Sequence, residues 1–280
     1  CIIPKARGPV RSKPLKEIKD ELSALAENGY KEVVLVGINL SSYGKETGSF
    51  RLAEAVEAAC SVEGIERVRL GSLAPELLSD DDLSRMAAQK KFCPQFHLSL
   101  QSGCDRTLKR MNRHYTAAEY KALVGRIRAQ FENPSITTDM MVGFAGETDK
   151  DFAESLRFAE EIGFAKVHVF AYSVREGTRA AKMDGHLPQS VKDARSREMI
   201  ECTDALREAF LRTQLNRVQS VLFETQQDGI YTGYTPNYTR VYAPCSRDIC
   251  GEILSVRLLT VKGGACAGEI VSDVSGCRGK

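Results

Sequence analysis

The chain has 280 residues, of which 42% are apolar and 27% are charged, and its formal net charge is +2. This length allows one large domain plus a small one, and the composition is that of an ordinary globular protein. No run approaches the roughly 20 apolar residues of a membrane span, and so small a net charge does not by itself indicate nucleic-acid binding.

The first segment of the chain is basic and opens on a cysteine. Residues 1–13 carry four Lys or Arg and no acid, and they predict a loop. A helix is expected from Pro14, which suits a first helical turn, to the Asn28-Gly29 pair. Because no Met opens the chain and a parallel barrel needs an earlier strand, we expect Cys1 to lie inside a larger protein.

Five short β-rich runs then alternate with helix-like stretches. The runs are residues 33–36, 67–72, 96–100, 136–142 and 166–170. Strands that alternate with helices indicate right-handed βαβ crossovers and a parallel sheet. In parallel barrels the chemistry gathers on the loops after the strands, which here read GINLSSYG, SLAP, QSGCDRTLKRMNRHY, GFAGET and AYSVREGTRAA.

The pattern changes after a long helix predicted over residues 190–217. Five further β-rich segments separated by Gly and Pro predict a small all-β domain, either a barrel or an OB-like fold. We therefore expect two domains, residues 1–217 and 218–280.

Two groups of residues suggest RNA contacts. Residues 104–130 hold seven Lys or Arg against two acids, and basic residues beside an aromatic ring suit a phosphate backbone and a stacked base. Tyrosines in the β-rich segment suit the same task. A solvated helix face and a β-domain core are the competing interpretations. The candidate RNA-binding residues are Arg110, Arg113, Tyr115, Tyr238 and Arg240.

The cysteines and histidines give no complete site. The nine cysteines cannot all be paired, and their scatter favours thiols or metal ligands in a cytoplasmic protein. Cys1 alone cannot hold an iron–sulfur cluster, which takes three or four thiolates. His97 and His168 lie in predicted strands and are expected to pack or to form hydrogen bonds.

The loop motifs together resemble those of the radical S-adenosylmethionine (SAM) methylthiotransferases that modify tRNA. CIIPKARGPVRSKP looks like the segment that begins at the last cysteine of the family's Cys-x-x-x-Cys-x-x-Cys motif. LSLQSGCDRTLKRMNRHYT, TTDMMVGFAGET and VFAYSVREGTRAA are similar to its later motifs, in the same order. GYKEVVLVGINLSSYG and GYTPNYTRVY most resemble the branch that acts on threonylcarbamoyladenosine next to the anticodon, and the last segment is similar to the TRAM domain, an RNA-binding barrel.

The resemblance implies a fold and a chemistry. The fold is a radical-SAM (β/α)6 partial TIM barrel, incomplete here because its first strand is missing, followed by a TRAM-like barrel. The parent protein would hold a 4Fe-4S cluster with SAM, abstract hydrogen from C2 of the adenine, and deliver a methylthio group from a second cluster. Its partners would be tRNA and an electron donor such as flavodoxin or ferredoxin, without a membrane. By resemblance Cys1 is a cluster ligand, and the cofactor-facing residues are Gly37, Asn39, Gln101, Ser102, Asp139 and Tyr172.

The departures from the family matter for activity. Two cluster cysteines, the first barrel strand and the N-terminal domain are absent from this sequence, so we expect the isolated chain to be inactive. An alternative interpretation is a non-catalytic RNA-binding module. A further alternative is a barrel enzyme that uses a phosphate substrate without iron. A Cys-x-x-x-Cys-x-x sequence directly upstream of Cys1 would favour the enzyme over the binding module.

Overall fold

The computed structural model describes residues 3–271 and divides the chain into two compact units, Cys1–Leu206 and Arg207–Lys280. The division lies inside the last helix, whereas the β-rich sequence pattern begins after residue 217. No helix within residues 3–271 combines the length and the apolar character needed to cross a bilayer.

The first unit alternates helices with short strands. Its elements in chain order are α1 (Ile3–Arg7), α2 (Leu15–Glu27), β1 (Glu32–Leu35), α3 (Leu52–Cys60), β2 (Arg67–Leu70), β3 (Ser72–Leu73), α4 (Asp80–Ala87), β4 (Gln95–Leu98), α5 (Asp105–Arg110), α6 (Ala117–Gln130), β5 (Ser135–Val142), α7 (Asp149–Ile162), β6 (Lys166–Ala171) and α8 (Gln189–Thr213), the last of which continues into the second unit.

All five predicted strands are present and parallel. β1 pairs with β2, and a second sheet runs in the order β3-β4-β5-β6. β2 and β3 together form the second predicted strand, which Gly71 interrupts while its N–H still donates to the carbonyl of Leu35 at 2.9 Å. The register places His97 opposite Thr137 and Asp139 opposite His168. The expected partial barrel is therefore confirmed.

The two faces of this sheet differ in character. Phe96, Leu98, Ile136 and Met140 are buried in the main hydrophobic core together with residues of the covering helices. Since side chains alternate along a strand, the residues between them point to the opposite side, which we call the inner face. That face carries His97, Thr137 and Asp139, which are partly buried, and His168, which is exposed.

Several helix ends follow the sequence signals. Thr148 caps α7 by accepting from the N–H of Asp151, and Gly163 ends that helix in the left-handed conformation with φ 64°. The loop predicted after Cys1 is wrong for residues 3–7, which form α1; a proline in a first helical turn costs no hydrogen bond. The last helix ends at Thr213, four residues before the predicted residue 217.

The second unit contains a small closed barrel, as the sequence predicted. Its strands are β7 (Val218–Gln227), β8 (Ile230–Tyr234), β9 (Arg240–Pro244), β10 (Ile253–Lys262) and β11 (Ala265–Ile270), in the order β10-β11-β9-β8-β7. Val221, Phe223, Tyr231 and Val256 are buried in its core. Tyr231 therefore serves packing, while the outward side chains of β8 and β9 form a separate surface.

Candidate functional site

The carboxyl ends of β4 and β5 meet at an unusual backbone junction. Gln101 has φ 71°, a left-handed conformation that is uncommon outside glycine. Its N–H donates to the carbonyl of Asp139 at 2.9 Å, and its carbonyl accepts from the N–H of Met141 at 2.9 Å. The structure thus brings together Gln101 and Asp139, which the sequence placed in the same site.

Asp139 belongs to a hydrogen-bonded group on the inner face. Its Oδ2 lies 3.3 Å from Nε2 of His97, and 29% of its side chain is exposed. Nδ1 of His97 lies 3.0 Å from the hydroxyl of Thr137. The His168 ring is 6.0 Å from that of His97, centroid to centroid. The hydrogen-bonding role expected for His97 is present.

The charges around Asp139 keep its carboxylate ionised. Partial burial raises the pKa of Asp139, but the hydrogen bond from His97 and the charges of His97 and His168 outweigh it, so the pKa lies below its usual value. Burial, and then the charge of Lys166, lower the pKa of His168. A half-exposed carboxylate held ionised is a strong hydrogen-bond acceptor for a ligand on the inner face.

Ser102 lies behind the site instead of facing it. Its side chain is buried, its hydroxyl is 3.0 Å from that of Ser155 on α7, and it accepts from the N–H of Cys104 at 3.2 Å. These bonds fix the turn after β4. The geometry therefore does not support the direct cofactor contact predicted for Ser102, and a role in holding Gln101 in place is the one that it supports.

The loop at residues 143–148 is braced by a buried ion pair that the sequence did not reveal. The Glu147 carboxylate accepts from the N–H of Gly143 at 2.6 Å and from Arg195 of α8 at 2.7 Å. Burial raises the pKa of Glu147 despite the opposing effect of these partners. Gly143 has φ 71°, and a Cβ there would collide with the Lys192 side chain.

Tyr172 directly follows β6 and its hydroxyl is unsatisfied. The residue is 7% exposed, and its ring packs edge-on against Phe144 at 4.9 Å and stacks on His186 at 5.9 Å. Among the residues that the structure describes, its Oη atom has no hydrogen-bond partner. A buried hydroxyl without a partner commonly marks the place of a water or a ligand group.

Gly37 and Asn39 lie on an exposed turn after β1. Asn39 precedes a short 3-10 turn and its carbonyl accepts from the N–H of Ser42 at 3.0 Å, while no side-chain capping bond forms. Gly37 and the Asn39 side chain are exposed. Both are therefore accessible to a ligand, as the predicted contact with the methionine part of SAM requires.

The candidate RNA-binding residues of the first unit separate into three cases. Arg113 is exposed. Arg110 donates from Nε to the carbonyl of Ala145 at 2.8 Å and so braces the loop after β5. Tyr115 is 5% exposed, and its hydroxyl bonds to the carbonyls of Ser99 and Leu100, each at 2.7 Å. A buried ring cannot stack on a base, so the RNA contact predicted for Tyr115 is corrected to a structural role.

The second unit presents tyrosines and an arginine on the outer side of β8 and β9. Tyr234 and Tyr238 stack with their ring centroids 4.6 Å apart and their planes 16° apart. Tyr238 is 49% exposed and has φ 64°. The guanidinium of Arg240 lies 5.0 Å from the centre of the Tyr242 ring. We call Tyr234, Tyr238, Arg240 and Tyr242 the tyrosine surface.

A buried polar network fixes the turn that carries Tyr238. Thr235 and Thr239 both donate from their hydroxyls to the Asn237 side-chain oxygen, at 2.6 and 2.9 Å. The Asn237 amide in turn donates to Gln214 at 3.1 Å. Because these groups are buried and mutually bonded, the strained conformation of Tyr238 is held by its surroundings.

Cys1, the predicted cluster ligand, lies outside the described residues. Within residues 3–271 no group of three or more His, Cys, Asp or Glu side chains is arranged to hold a metal ion. Cys266 is buried in the core of the second unit.

The chain is similar in sequence to named tRNA-modifying enzymes. It is 37% identical over 275 residues to the tRNA-2-methylthio-N(6)-dimethylallyladenosine synthase of Acetivibrio thermocellus, covering 97% of this chain and 57% of that protein. It is 35% identical over 272 residues to the threonylcarbamoyladenosine tRNA methylthiotransferase MtaB of Chlamydia pneumoniae, covering 97% of this chain and 64% of that protein. The chain thus spans about three-fifths of the length of these relatives, and its resemblance to tRNA methylthiotransferases is confirmed.

The fold and a family model agree. Coproporphyrinogen III oxidase (HemN) from Escherichia coli, a radical SAM enzyme, aligns with a TM-score of 0.52 and 16% identity over 79% of this chain and 59% of that one, which supports the fold alone. The model of the radical SAM superfamily matches residues 1–159. That match covers more than half of the sequence and includes β1 to β5 of the partial barrel, so the chain belongs to the radical SAM superfamily.

Proposed function

We propose that this chain forms the partial barrel and the small β-barrel of a radical SAM enzyme that methylthiolates an adenosine of tRNA. Membership of the superfamily implies a 4Fe-4S cluster and SAM. Both curated relatives are named for reactions on modified tRNA adenosines. The observation that carries the proposal is the junction of Gln101 with Asp139, because it places an ionised carboxylate beside the carboxyl end of β4, at the edge of the sheet where parallel barrels bind ligands.

The residues at the strand ends fit a nucleoside cofactor. The Asp139 carboxylate suits the hydroxyl groups of a ribose, which are hydrogen-bond donors. The buried Tyr172 hydroxyl lacks a partner among the described residues and suits a polar atom of the cofactor. Gly37 and Asn39 are exposed on the turn after β1, where the amino and carboxylate groups of the methionine part are proposed to bind. Gln101 completes this set, and Ser102 supports it from behind.

We assign one cluster thiolate to Cys1, as in the motif that the first residues resemble. When bound, the cluster and SAM supply a radical that removes hydrogen from an unactivated C–H bond, and the protein supplies binding and orientation. A second cluster as the sulfur source, a flavodoxin or ferredoxin as the electron donor, and a cytoplasmic location belong to the same proposal.

The proposed substrate is the threonylcarbamoyladenosine next to the anticodon. The segment GYKEVVLVGINLSSYG and the similarity to MtaB support this branch, whereas the relative named for dimethylallyladenosine has 37% identity against 35% for MtaB.

Mass spectrometry of digested tRNA tests both the activity and the substrate. Deletion of the gene that encodes this chain is expected to remove the 2-methylthio derivative of threonylcarbamoyladenosine, and the wild-type gene to restore it. The derivative of dimethylallyladenosine serves as the internal comparison. Loss of that derivative instead would overturn the branch, and loss of neither would overturn the activity.

A second candidate function is RNA binding without catalysis, and the tyrosine surface favours it. Stacked rings beside an arginine are typical of surfaces that hold unpaired bases. Tyr238 and Arg240 are the proposed contacts in the second unit, with Arg113 in the first, whereas Arg110 is engaged with the loop after β5. Iron and SAM binding by the whole protein separates the two candidates, since a pure RNA-binding module needs neither.

A further inference from the structure

Three side chains on the inner face form a chain of hydrogen bonds whose middle member has no role in the proposed function. The His97 ring lies between the hydroxyl of Thr137, 3.0 Å from Nδ1, and the carboxylate of Asp139, 3.3 Å from Nε2. With a proton on Nε2, the ring donates to the Asp139 carboxylate, while Nδ1 shares a hydrogen bond with the Thr137 hydroxyl. The imidazole therefore links a fixed hydroxyl to a carboxylate that faces the ligand.

The sheet fixes both ends of this chain. His97 and Thr137 are direct partners in the β4–β5 register, and Asp139 follows two residues later on the same face of β5. Phe96 and Leu98, which flank His97, are fully buried and anchor its backbone. The backbone carbonyl of Asp139 accepts from Gln101, so the main chain of Asp139 is held as well.

The side chain of Asp139 is the least restrained part of the arrangement. Its exposed fraction of 29% leaves it open toward the inner face, and His97 is the one side chain within residues 3–271 seen to form an ion pair with it. His168, its register partner on β6, lies across the inner face with Lys166 on the same strand. Removing the Nε2–H would free the carboxylate to rotate toward the Lys166 ammonium or the His168 ring.

We infer that His97 is a positioning residue that holds the Asp139 carboxylate in the orientation in which it accepts hydrogen bonds from the nucleoside cofactor. This inference rests on the proposed function, in which Asp139 contacts SAM. A positioned acceptor binds more tightly than a mobile one because less conformational freedom is lost on binding. His97 thus acts through Asp139 and needs no contact of its own with the cofactor.

A packing role for His97 makes a different prediction. Leucine fills a similar space but offers no donor, whereas glutamine keeps an N–H donor on a side chain of comparable reach. If His97 only fills space, His97→Leu should preserve binding. If it positions Asp139, His97→Gln should preserve binding and His97→Leu should not.

The test is the dissociation constant for SAM, measured by equilibrium dialysis on the whole protein with its clusters reconstituted anaerobically. We expect His97→Leu to weaken binding by about tenfold, the effect of one hydrogen bond to a charged group, and His97→Gln to stay within about threefold of the wild type. Asp139→Asn should weaken binding, and the His97→Leu, Asp139→Asn double variant should bind no more weakly than Asp139→Asn alone. His114→Leu, at an exposed histidine, is the matched control and should change nothing.

Thr137→Val provides a second route if His97→Leu fails to fold, because it removes the hydroxyl that fixes Nδ1 at nearly constant volume. It is expected to weaken SAM binding by about threefold, through a less restrained imidazole. Equal binding by the wild type, His97→Leu and Thr137→Val overturns the inference, as does a double variant whose losses multiply. Loss of tRNA affinity with unchanged SAM affinity also overturns it.

The outcomes distinguish the positioning role of His97 from the proposed function on which it rests. A wild-type protein that binds no SAM contradicts the proposed function, and the inference falls with it. A wild type that binds SAM and an Asp139→Asn variant that binds equally well contradict the contact between Asp139 and the cofactor. If Asp139→Asn alone weakens binding, the function stands and only the role of His97 is lost.

Discussion

At the residue scale, the Glu147–Arg195 pair shows how one buried contact positions a loop of the site. Both side chains are almost fully buried, at 1% and 6% exposure. Glu147 joins the N–H of Gly143 to the guanidinium of Arg195, so the turn after β5 is tied to α8. A buried carboxylate that loses its cation keeps the cost of its own desolvation, which makes the pair sensitive to the loss of either member.

Arg195→Met is therefore expected to lower the free energy of unfolding by about 3 kcal/mol at neutral pH. The measurement is guanidinium denaturation followed by the helical circular dichroism signal, since most of the helical residues belong to the first unit. Glu147→Gln combined with Arg195→Met is the control, because the amide carries no charge and still accepts from Gly143. A double variant as unstable as Arg195→Met would contradict this explanation.

The same variant has a predictable pH dependence. The pKa of Glu147 is already raised by burial, and loss of Arg195 raises it further. Between the ordinary pKa of a glutamate and this raised value, the folded state binds more protons than the unfolded state, so stability falls as the pH rises. The deficit of Arg195→Met should thus be largest above the raised pKa and shrink as the pH falls toward the ordinary glutamate range. A deficit that does not change with pH would argue for lost packing alone.

At the scale of elements, the sequence predicted the strands but not the orientation of the side chains in the turns. β-rich runs and turn residues located every strand of both units. The sequence did not predict α5, which follows directly on the turn after β4. The chain returns from that helix so that Tyr115 packs beneath the carbonyls of Ser99 and Leu100. Basic composition alone could not distinguish this buried ring from an exposed one.

On the inner face, the side on which each residue lies can be predicted from the sequence, but the contacts between residues cannot. Alternation along β4 sets His97 on the opposite face from Phe96 and Leu98, and this much can be read from the sequence. Its contacts with Thr137 and Asp139 depend on the register between β4 and β5, which no local pattern fixes. Arg195 lies far along the chain from Glu147, so their pairing required the tertiary fold.

The turn between β8 and β9 allows stability and RNA binding to be separated. Tyr238 has a left-handed backbone, which asparagine adopts more readily than tyrosine. Tyr238→Asn should keep or increase the stability of the barrel while removing the exposed ring. Base stacking on an aromatic side chain contributes about 1–3 kcal/mol, so affinity for tRNA should fall by about tenfold. Fluorescence anisotropy with labelled tRNA measures the change.

Ile230→Thr is the matched control for this experiment, because Ile230 is an exposed side chain of β8 that lies outside the tyrosine surface. It should leave tRNA affinity unchanged. Equal tRNA binding by Tyr238→Asn and the wild type would remove the tyrosine surface from the RNA-binding proposal and leave the stacked rings with a purely structural role.

At the scale of the whole molecule, the two units divide the proposed work. The first belongs to a superfamily defined by cluster and SAM chemistry, and its polar residues gather at the strand ends. The second is a small β-barrel with an aromatic outer surface. The chain spans about three-fifths of the length of these relatives. The iron content of the whole protein therefore tests whether this chain takes part in the proposed cluster chemistry.

Iron content gives the most direct test of the role proposed for Cys1. In the whole protein reconstituted anaerobically, Cys1→Ala is expected to remove about four irons per chain, because a 4Fe-4S cluster needs its cysteine thiolates. Cys250→Ala is the control, since Cys250 is exposed in the second unit and belongs to no metal-binding group among the described residues. Iron that does not respond to Cys1, or that responds equally to Cys250, would contradict the assignment of Cys1. The inner-face residues that we propose to contact SAM would then lack the cluster on which their proposed chemistry depends.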